Sequence, residues 1–422
     1  MLKNNTDTET VIKKSTEQIF APVMYAYISW VLDQARRDKI QRLYFLARDG
    51  FQMYLAAKIL CQERGEKIQC RYLKCSRYAL RVPAYFLMGR DCLDLICQGG
   101  TDVTLGKVLK RSGLSREEIP LWARRLGAET WLDRILSYRE VQKLKGVLAG
   151  SEGFLERIHE ISREAYPAAV GYLRQEGLLE EVPYALVDSG WIGTLQQTLE
   201  LLLKKEGKTE ALKGFYFGLY EIPKDADREK YRAYYFLPTG KIKRKVYFCN
   251  SLFECVFSAP EGMTLHYRKE DNEYLPADGG RENPNKKQLE IITEILCRRV
   301  RRLAKKNRKI KEKKVEKLLS DFMGYPAREE AEVFGGFHFT GDVLEKKGEL
   351  LAAGLSEKEI RNNHFFSKSL ILLGLKKGPV QESGWIEGSV VNCGRHVKRH
   401  LRQIRLYKYL LYIRKALMER WK

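Results

Sequence analysis

Arg42-Leu43-Tyr44-Phe45-Leu46-Ala47-Arg48-Asp49-Gly50 is the stretch whose reading decides the fold. Arg42 to Ala47 is a short apolar run, and Asp49-Gly50 closes it as a turn pair. Helical spacing of apolar residues then returns over Phe51 to Leu60, so the chain reads strand, tight loop, helix.

The same alternation extends on both sides. Upstream, Ile19, Val23, Tyr27, Trp30 and Val31 predict a long helix within 15–39. Downstream, Gln69 to Cys75 reads as a second strand ending in Ser76-Arg77. Val182 to Val187 reads as a third, closed by Asp188-Ser189-Gly190 and followed by a helix from Leu195 to Lys204. Gly214 to Tyr220, Tyr231 to Leu237 and Lys245 to Cys249 are further strand candidates. Between the second and third strands, about 81–180, the pattern is helical and polar with Gly/Ser punctuation, which reads as a helical insertion. The expected class is therefore α/β: a mostly parallel sheet with flanking helices, a helical insertion, and a mainly helical basic region at the C-terminal end. In such sheets ligands sit beyond the carboxyl ends of the strands.

The organisation expected is an N-terminal helical segment (1–40) and an α/β core (41–268). A linker with a basic helix (269–325) and a mixed region ending in a basic amphipathic helix (326–422) complete the chain. A hydrophobic content of 44% and the lack of low-complexity tracts exclude wholesale disorder. Nine scattered cysteines without a Cys-x-x-Cys pair predict reduced, mostly buried thiols. No basic-then-apolar leader and no apolar run of about 20 residues is present. The expected location is cytoplasmic, with peripheral contact to the inner face of a membrane as an option.

The formal charge of +22 is concentrated in two segments. Arg298 to Lys317 carries +10 and Arg395 to Lys422 carries +9, leaving +3 for the remaining 374 residues. A uniformly basic nucleic-acid-binding domain would look different, so nucleic acid ranks below other partners. Beside the apolar stripe Val397, Leu401, Ile404, Tyr407 and Leu411, the basic residues suit an anionic membrane surface or a membrane-bound protein. Each Lys or Arg near such a surface is worth about 1 kcal/mol. A solvated helix face is the plain alternative.

Asp188 offers a carboxylate at a strand end. Ser189, Gly190, Gly193 and Thr194 follow, supplying approachable N–H groups and a hydroxyl at a helix start, which is where anions bind. A simple helix cap would use the same residue types. The loop Arg48-Asp49-Gly50 repeats the design: Asp49 could bind a metal, accept a proton or hold a sugar hydroxyl, while Arg48 could pair with phosphate. Two such loops on one sheet favour a shared ligand site. Lys74, Ser76 and Arg77 would add positive charge to it, or lie solvated at a strand end. Glu254 interrupts the apolar run Leu252 to Phe257 and needs a partner, either in the crevice or at a sheet edge. The six histidines show no His-Glu-x-x-His spacing and read as structural. P-loop and Gly-x-Gly-x-x-Gly motifs are missing.

Taken in order, Phe45-Leu46-Ala47-Arg48-Asp49-Gly50, Ser76-Arg77, Val187-Asp188-Ser189-Gly190-Trp191-Ile192-Gly193-Thr194 and Phe253-Glu254 with Ser258-Ala259-Pro260-Glu261-Gly262 carry a resemblance. They resemble a region of bacterial haloacid-dehalogenase-like (HAD-like) proteins found in, or fused to, glycosyltransferases of capsule and lipopolysaccharide biosynthesis. The likeness spans roughly 15–270 and continues more loosely over 326–388, where Gly384-Trp385-Ile386-Glu387-Gly388 belongs to it. HAD phosphatases use an Asp-x-Asp strand end, which is missing here, since Asp225-Ala226-Asp227 sits in a charged loop. The chain thus looks like the region downstream of that catalytic core, and HAD phosphatase activity does not carry over. The Asp188 to Thr194 loop is also similar, more faintly, to the ribose-phosphate loop of phosphoribosyltransferases, with one acid where that family usually has two.

Together these readings imply a protein of surface-polysaccharide biosynthesis that binds a phosphorylated sugar or nucleotide sugar, as a transferase or hydrolase. Asp49, Asp188 and Glu254 are the candidate catalytic groups, with a divalent cation such as Mg as a candidate cofactor. Arg48, Gly50, Lys74, Ser76, Arg77, Ser189, Gly190, Trp191, Gly193 and Thr194 are the candidate binding residues. A non-catalytic adaptor that holds a glycosyltransferase at the membrane is the competing expectation.

Overall fold

A computed structural model describes residues 5–99, 103–280, 282–339, 348–372 and 383–420. Its centre is a five-stranded sheet with every pairing parallel: β1 (Arg42–Leu46), β2 (Gln69–Leu73), β3 (Tyr184–Trp191), β4 (Lys213–Leu219) and β5 (Tyr231–Phe236), in the spatial order β2-β1-β3-β4-β5. All five residues of β1 are buried, as expected for an inner strand covered on both faces. The helices that matter for function are α1 (Ala21–Arg37), α2 (Gly50–Arg64), α3 (Arg77–Met88), α4 (Glu152–Gln175), α5 (Thr194–Lys205), α6 (Asn250–Val256), α7 (Lys286–Lys305), α8 (Glu357–Asn362) and α9 (Val397–Arg420).

The strand order places a topological switch between β1 and β3, where connections leave toward opposite faces and a crevice opens at the carboxyl edge. β3 is longer than the sequence pattern suggests. Asp188-Ser189-Gly190-Trp191 continues the strand instead of closing it, with Asp188 opposite Tyr216 and Gly190 opposite Gly218. Gly190 makes this extension possible, because its φ is 111° and a Cβ there would stand 2.4 Å from the Gly218 carbonyl oxygen. Pairing of β1 with β3 ends at Phe45 and Val187, so beyond that point β3 keeps β4 on one side and opens the other to the crevice. The Tyr27 hydroxyl of α1 reaches the carbonyl oxygens of Phe215 at 2.8 Å and Asp188 at 3.1 Å, clamping the two strands where this happens.

Two expectations are corrected. Lys245 to Cys249 is not a strand: a helix over Ile242–Val246 and a turn lead into α6. Arg244, buried in that helix, donates to Glu312, Glu316 and the Tyr235 carbonyl, a set of partners that strand geometry would not provide. The polar stretch expected as a linker carries an antiparallel hairpin, His266–Glu270 with Glu273–Ala277. The insertion between α3 and α4 has its own hydrophobic cluster, built around Leu109, Leu144, Phe154 and Ile158.

The basic helices are docked on the core. α7 buries Ile292, Leu296, Val300 and Leu303 against α1 and α2. α9 buries Leu401 and Ile404, and Tyr412 stacks on Tyr220 with ring centres 5.5 Å apart. All nine cysteines are free and six are buried. Among the described residues no helix is long and apolar enough to cross a membrane.

Candidate functional site

The crevice between β1 and β3 encloses about 780 Å³, within the range of pockets that take small organic ligands. Asp49 reaches it as the residue preceding α2, Asp188 from the overhang of β3, and Glu254 from α6. Glu254 therefore faces the crevice from a helix and not from a sheet edge. Gln52 of α2 holds α6 in register, donating its side-chain amide to the Val256 carbonyl at 3.1 Å. Trp191 donates its indole N–H to Glu254 and packs against Phe248 and Phe253, which fixes the carboxyl in the crevice.

The three carboxyl groups are half-buried and share one low-dielectric space. Desolvation, followed by the charge of Asp49, pushes Asp188 up to about 7. Arg77 and the backbone N–H groups of Ser189 and Gly190 act in the opposite direction. Glu254 is likewise pushed up to about 7, by desolvation and then by Asp49. Asp49 itself is raised by desolvation, offset by the Ser189 hydroxyl, which donates to it at 2.6 Å, and by Arg48 and Arg77. Such a cluster holds a proton near neutral pH and can deliver or accept one, the condition that general acid–base chemistry requires.

Most of the residues singled out in the sequence meet here. Arg48, Ser76, Arg77, Ser189, Gly190, Trp191, Gly193 and Thr194 all line the crevice. Gly193, with a φ of 74°, leads into the first turn of α5. Two of these are engaged by groups that do not line the crevice. The Ser76 hydroxyl caps α3, accepting from the Ala79 N–H and donating to the Thr264 carbonyl. The Thr194 hydroxyl accepts from Arg81 at 3.0 Å. Two others stand apart. Lys74 pairs with Glu261 at 3.0 Å and does not line the crevice. Gly50 packs the start of α2 onto β1, where a Cβ would come within 2.9 Å of the Phe45 carbonyl carbon.

Sequence reasoning missed Gln98, Asn250, Met263 and His338, which form part of the walls, and Asp278 and Glu282, which add two carboxyl groups to them. No local signal marks them, because they arrive from several separate segments. His338 is held by Asn285, whose side-chain amide exchanges two hydrogen bonds of 2.8 Å with the His338 backbone. The oxygens of Asp49, Asp188 and Glu254 do not form a group lying within 4.8 Å of one another.

The fold and crevice define an α/β protein with a strand-end pocket lined by both arginine and carboxyl side chains. No protein-family model matches the chain, and no curated protein matches it.

Proposed function

We propose that the β1/β3 crevice binds a phosphorylated sugar, free or as part of a nucleotide sugar, and acts on it as a transferase or hydrolase. One observation carries this reading: two guanidinium groups, five carboxyl groups, among them Asp49, Asp188 and Glu254, and a helix N-terminus line a single crevice at the switch point of a parallel sheet. Arg48, Arg77 and the N–H groups at the start of α5 suit a phosphate. Asp49 and Asp188 suit ring hydroxyls, and Asp188 or Glu254 serves as the proton carrier. A Mg²⁺ ion fits such a site when shared with the phosphate, since Mg²⁺ uses one or two carboxylates plus substrate oxygens and water. The motif order that resembles the HAD-associated region suggests surface-polysaccharide biosynthesis in bacteria as the setting. The start of α5 at Thr194 also supports a phosphoribosyl compound among the candidate ligands.

Calorimetric titration with sugar phosphates, nucleotide sugars and phosphoribosyl pyrophosphate, with and without Mg²⁺, tests the proposal. At least one is expected to bind wild type, with affinity falling about tenfold or more in Arg77→Ala through the loss of a charge-assisted hydrogen bond. Absence of binding across the whole set would refute it.

The competing reading, an adaptor at a membrane surface, is supported by a different observation. Leu406, Leu410, Ile413 and Leu417 form a helical stripe on α9 that is 42–51% exposed, beside basic side chains. It replaces the stripe expected from the sequence, whose Leu401 and Ile404 are buried inside the protein. Sedimentation with anionic vesicles separates the two readings: the adaptor requires binding that Leu410→Glu abolishes.

A further inference from the structure

Outside the crevice lining, three potential metal-binding side chains converge where α8 meets the start of α9. Glu357 Oε1 lies 3.2 Å from His396 Nδ1 and 3.8 Å from His400 Nε2, and all three atoms lie within 4.8 Å of one another. Among the described residues this is the group of His, Cys, Asp and Glu atoms that meets such a limit. Tetrahedral zinc with bonds of about 2.0–2.1 Å sets its ligand atoms roughly 3.3–3.4 Å apart, so the observed spacings need only small adjustments.

A second observation points to a ligand. His400 is 1% exposed, and its Nε2 is buried with no hydrogen-bond partner. An orphaned buried nitrogen is costly unless something fills its lone pair or takes its proton. The other ring nitrogen, Nδ1, lies 2.7 Å from His364 Nε2. With nothing within hydrogen-bond reach of Nε2, the proton of neutral His400 belongs on Nδ1 and is donated to His364. That leaves the Nε2 lone pair directed at Glu357 and His396, the arrangement in which a ligating histidine is oriented by a second group through its other nitrogen. Arg361 completes the outer layer, its guanidinium 2.6 Å from Glu357 Oε1.

We propose that Glu357, His396 and His400 bind a divalent transition-metal ion, zinc by preference, with His364 as the positioning residue. Two imidazoles and one carboxylate in a four-coordinate geometry match zinc, with a fourth position for water. The site is structural in effect. It joins α8 to α9 across a small hydrophobic cluster, Leu355, Ile360, Val390, Leu401 and Ile404, which has little core of its own. The four-residue spacing of His396 and His400 is visible in the sequence, whereas Glu357 and His364 join them only through the fold. This site is independent of the crevice and of its proposed ligand.

The test uses the full chain without an affinity tag, stripped with a chelator, reloaded with Zn²⁺ or Co²⁺, and freed of unbound metal. Wild type is expected to keep about one zinc per chain, to melt several degrees higher than the stripped protein, and to show the strong visible bands of four-coordinate Co²⁺. His396→Gln and His400→Gln should lose the metal and the shift, while His364→Ala should bind about 10–100-fold more weakly. Should His400→Gln fail to fold, His396→Gln decides, since the side chain of His396 is 64% exposed. Asp49→Asn should bind zinc like wild type. Failure of wild type to retain zinc, retention unchanged in His396→Gln, or a Co²⁺ spectrum showing thiolate charge transfer would each overturn the proposal.

Discussion

The crevice and the basic C-terminal helix use charge in opposite ways. In the crevice, Asp49, Asp188 and Glu254 come from positions up to about 200 residues apart and crowd like charges into one half-buried space. Along α9 the charges are dense in sequence but separate in space. Lys408 pairs with Glu387, Lys415 with Glu221, and Arg405 lies over the Tyr325 ring and donates to the Gly324 carbonyl. Part of the charge that is dense in the sequence is met one partner at a time, while the few charges gathered by the sheet keep unresolved electrostatic demand. That demand is what a ligand can satisfy.

Asp188→Asn should strike the contrast hardest. Removing the ionisable group at the switch point is expected to lower turnover of a bound sugar phosphate by about 10²-fold or more. Lys415→Ala on α9 should leave it unchanged in the same assay. Gly190→Ala comes next. Its φ of 111° and the 2.4 Å approach to the Gly218 carbonyl predict a loss of about 2–3 kcal/mol in denaturant unfolding. Gly394→Ala, at a φ of 73° with open space around it, should cost only about 1 kcal/mol.

The pH dependence of stability sharpens the comparison further. Because Glu254 rises from 4.5 to about 7 on folding, the folded state holds a proton between those values that the unfolded state has released. Stability therefore falls as pH rises through that window. Glu254→Gln, which keeps an acceptor for the Trp191 indole, should be more stable than wild type at pH 8 by on the order of 1–3 kcal/mol, with the gain gone below about pH 4.5. The smallest effect belongs to the surface: breaking the Lys415–Glu221 pair, both partners 40–45% exposed, should cost about 0.2–1 kcal/mol in thermal unfolding, and less in high salt.

The core strands are legible as short apolar runs, those of β1, β2 and β3 running into Asp, Ser or Gly, and their alternation with helical patterns implies parallel pairing. The extension of β3 through Trp191 was hidden. Asp-Ser-Gly reads locally as a turn, and only the neighbouring Gly218 makes room for it to continue. Lys245 to Cys249 misled because an apolar pair beside Cys249 looks like a strand, whereas the partners of Arg244 decide for a helix. Asp49, Asp188 and Glu254 could be picked out one by one, since each is a charge set against apolar sequence. The walls formed by Gln98, Met263 and His338, like the neighbourhood of His400, depend on tertiary contacts that leave no local periodicity.

Recognition of a sugar together with its phosphate in the β1/β3 crevice can be seen directly. A crystal soaked with a saturating sugar phosphate in the presence of Mg²⁺ tests it most directly. The phosphate is expected between Arg48, Arg77 and the start of α5, with ring hydroxyls on Asp49 and Asp188. Density for the ligand only elsewhere, or an empty crevice at saturation, would contradict it.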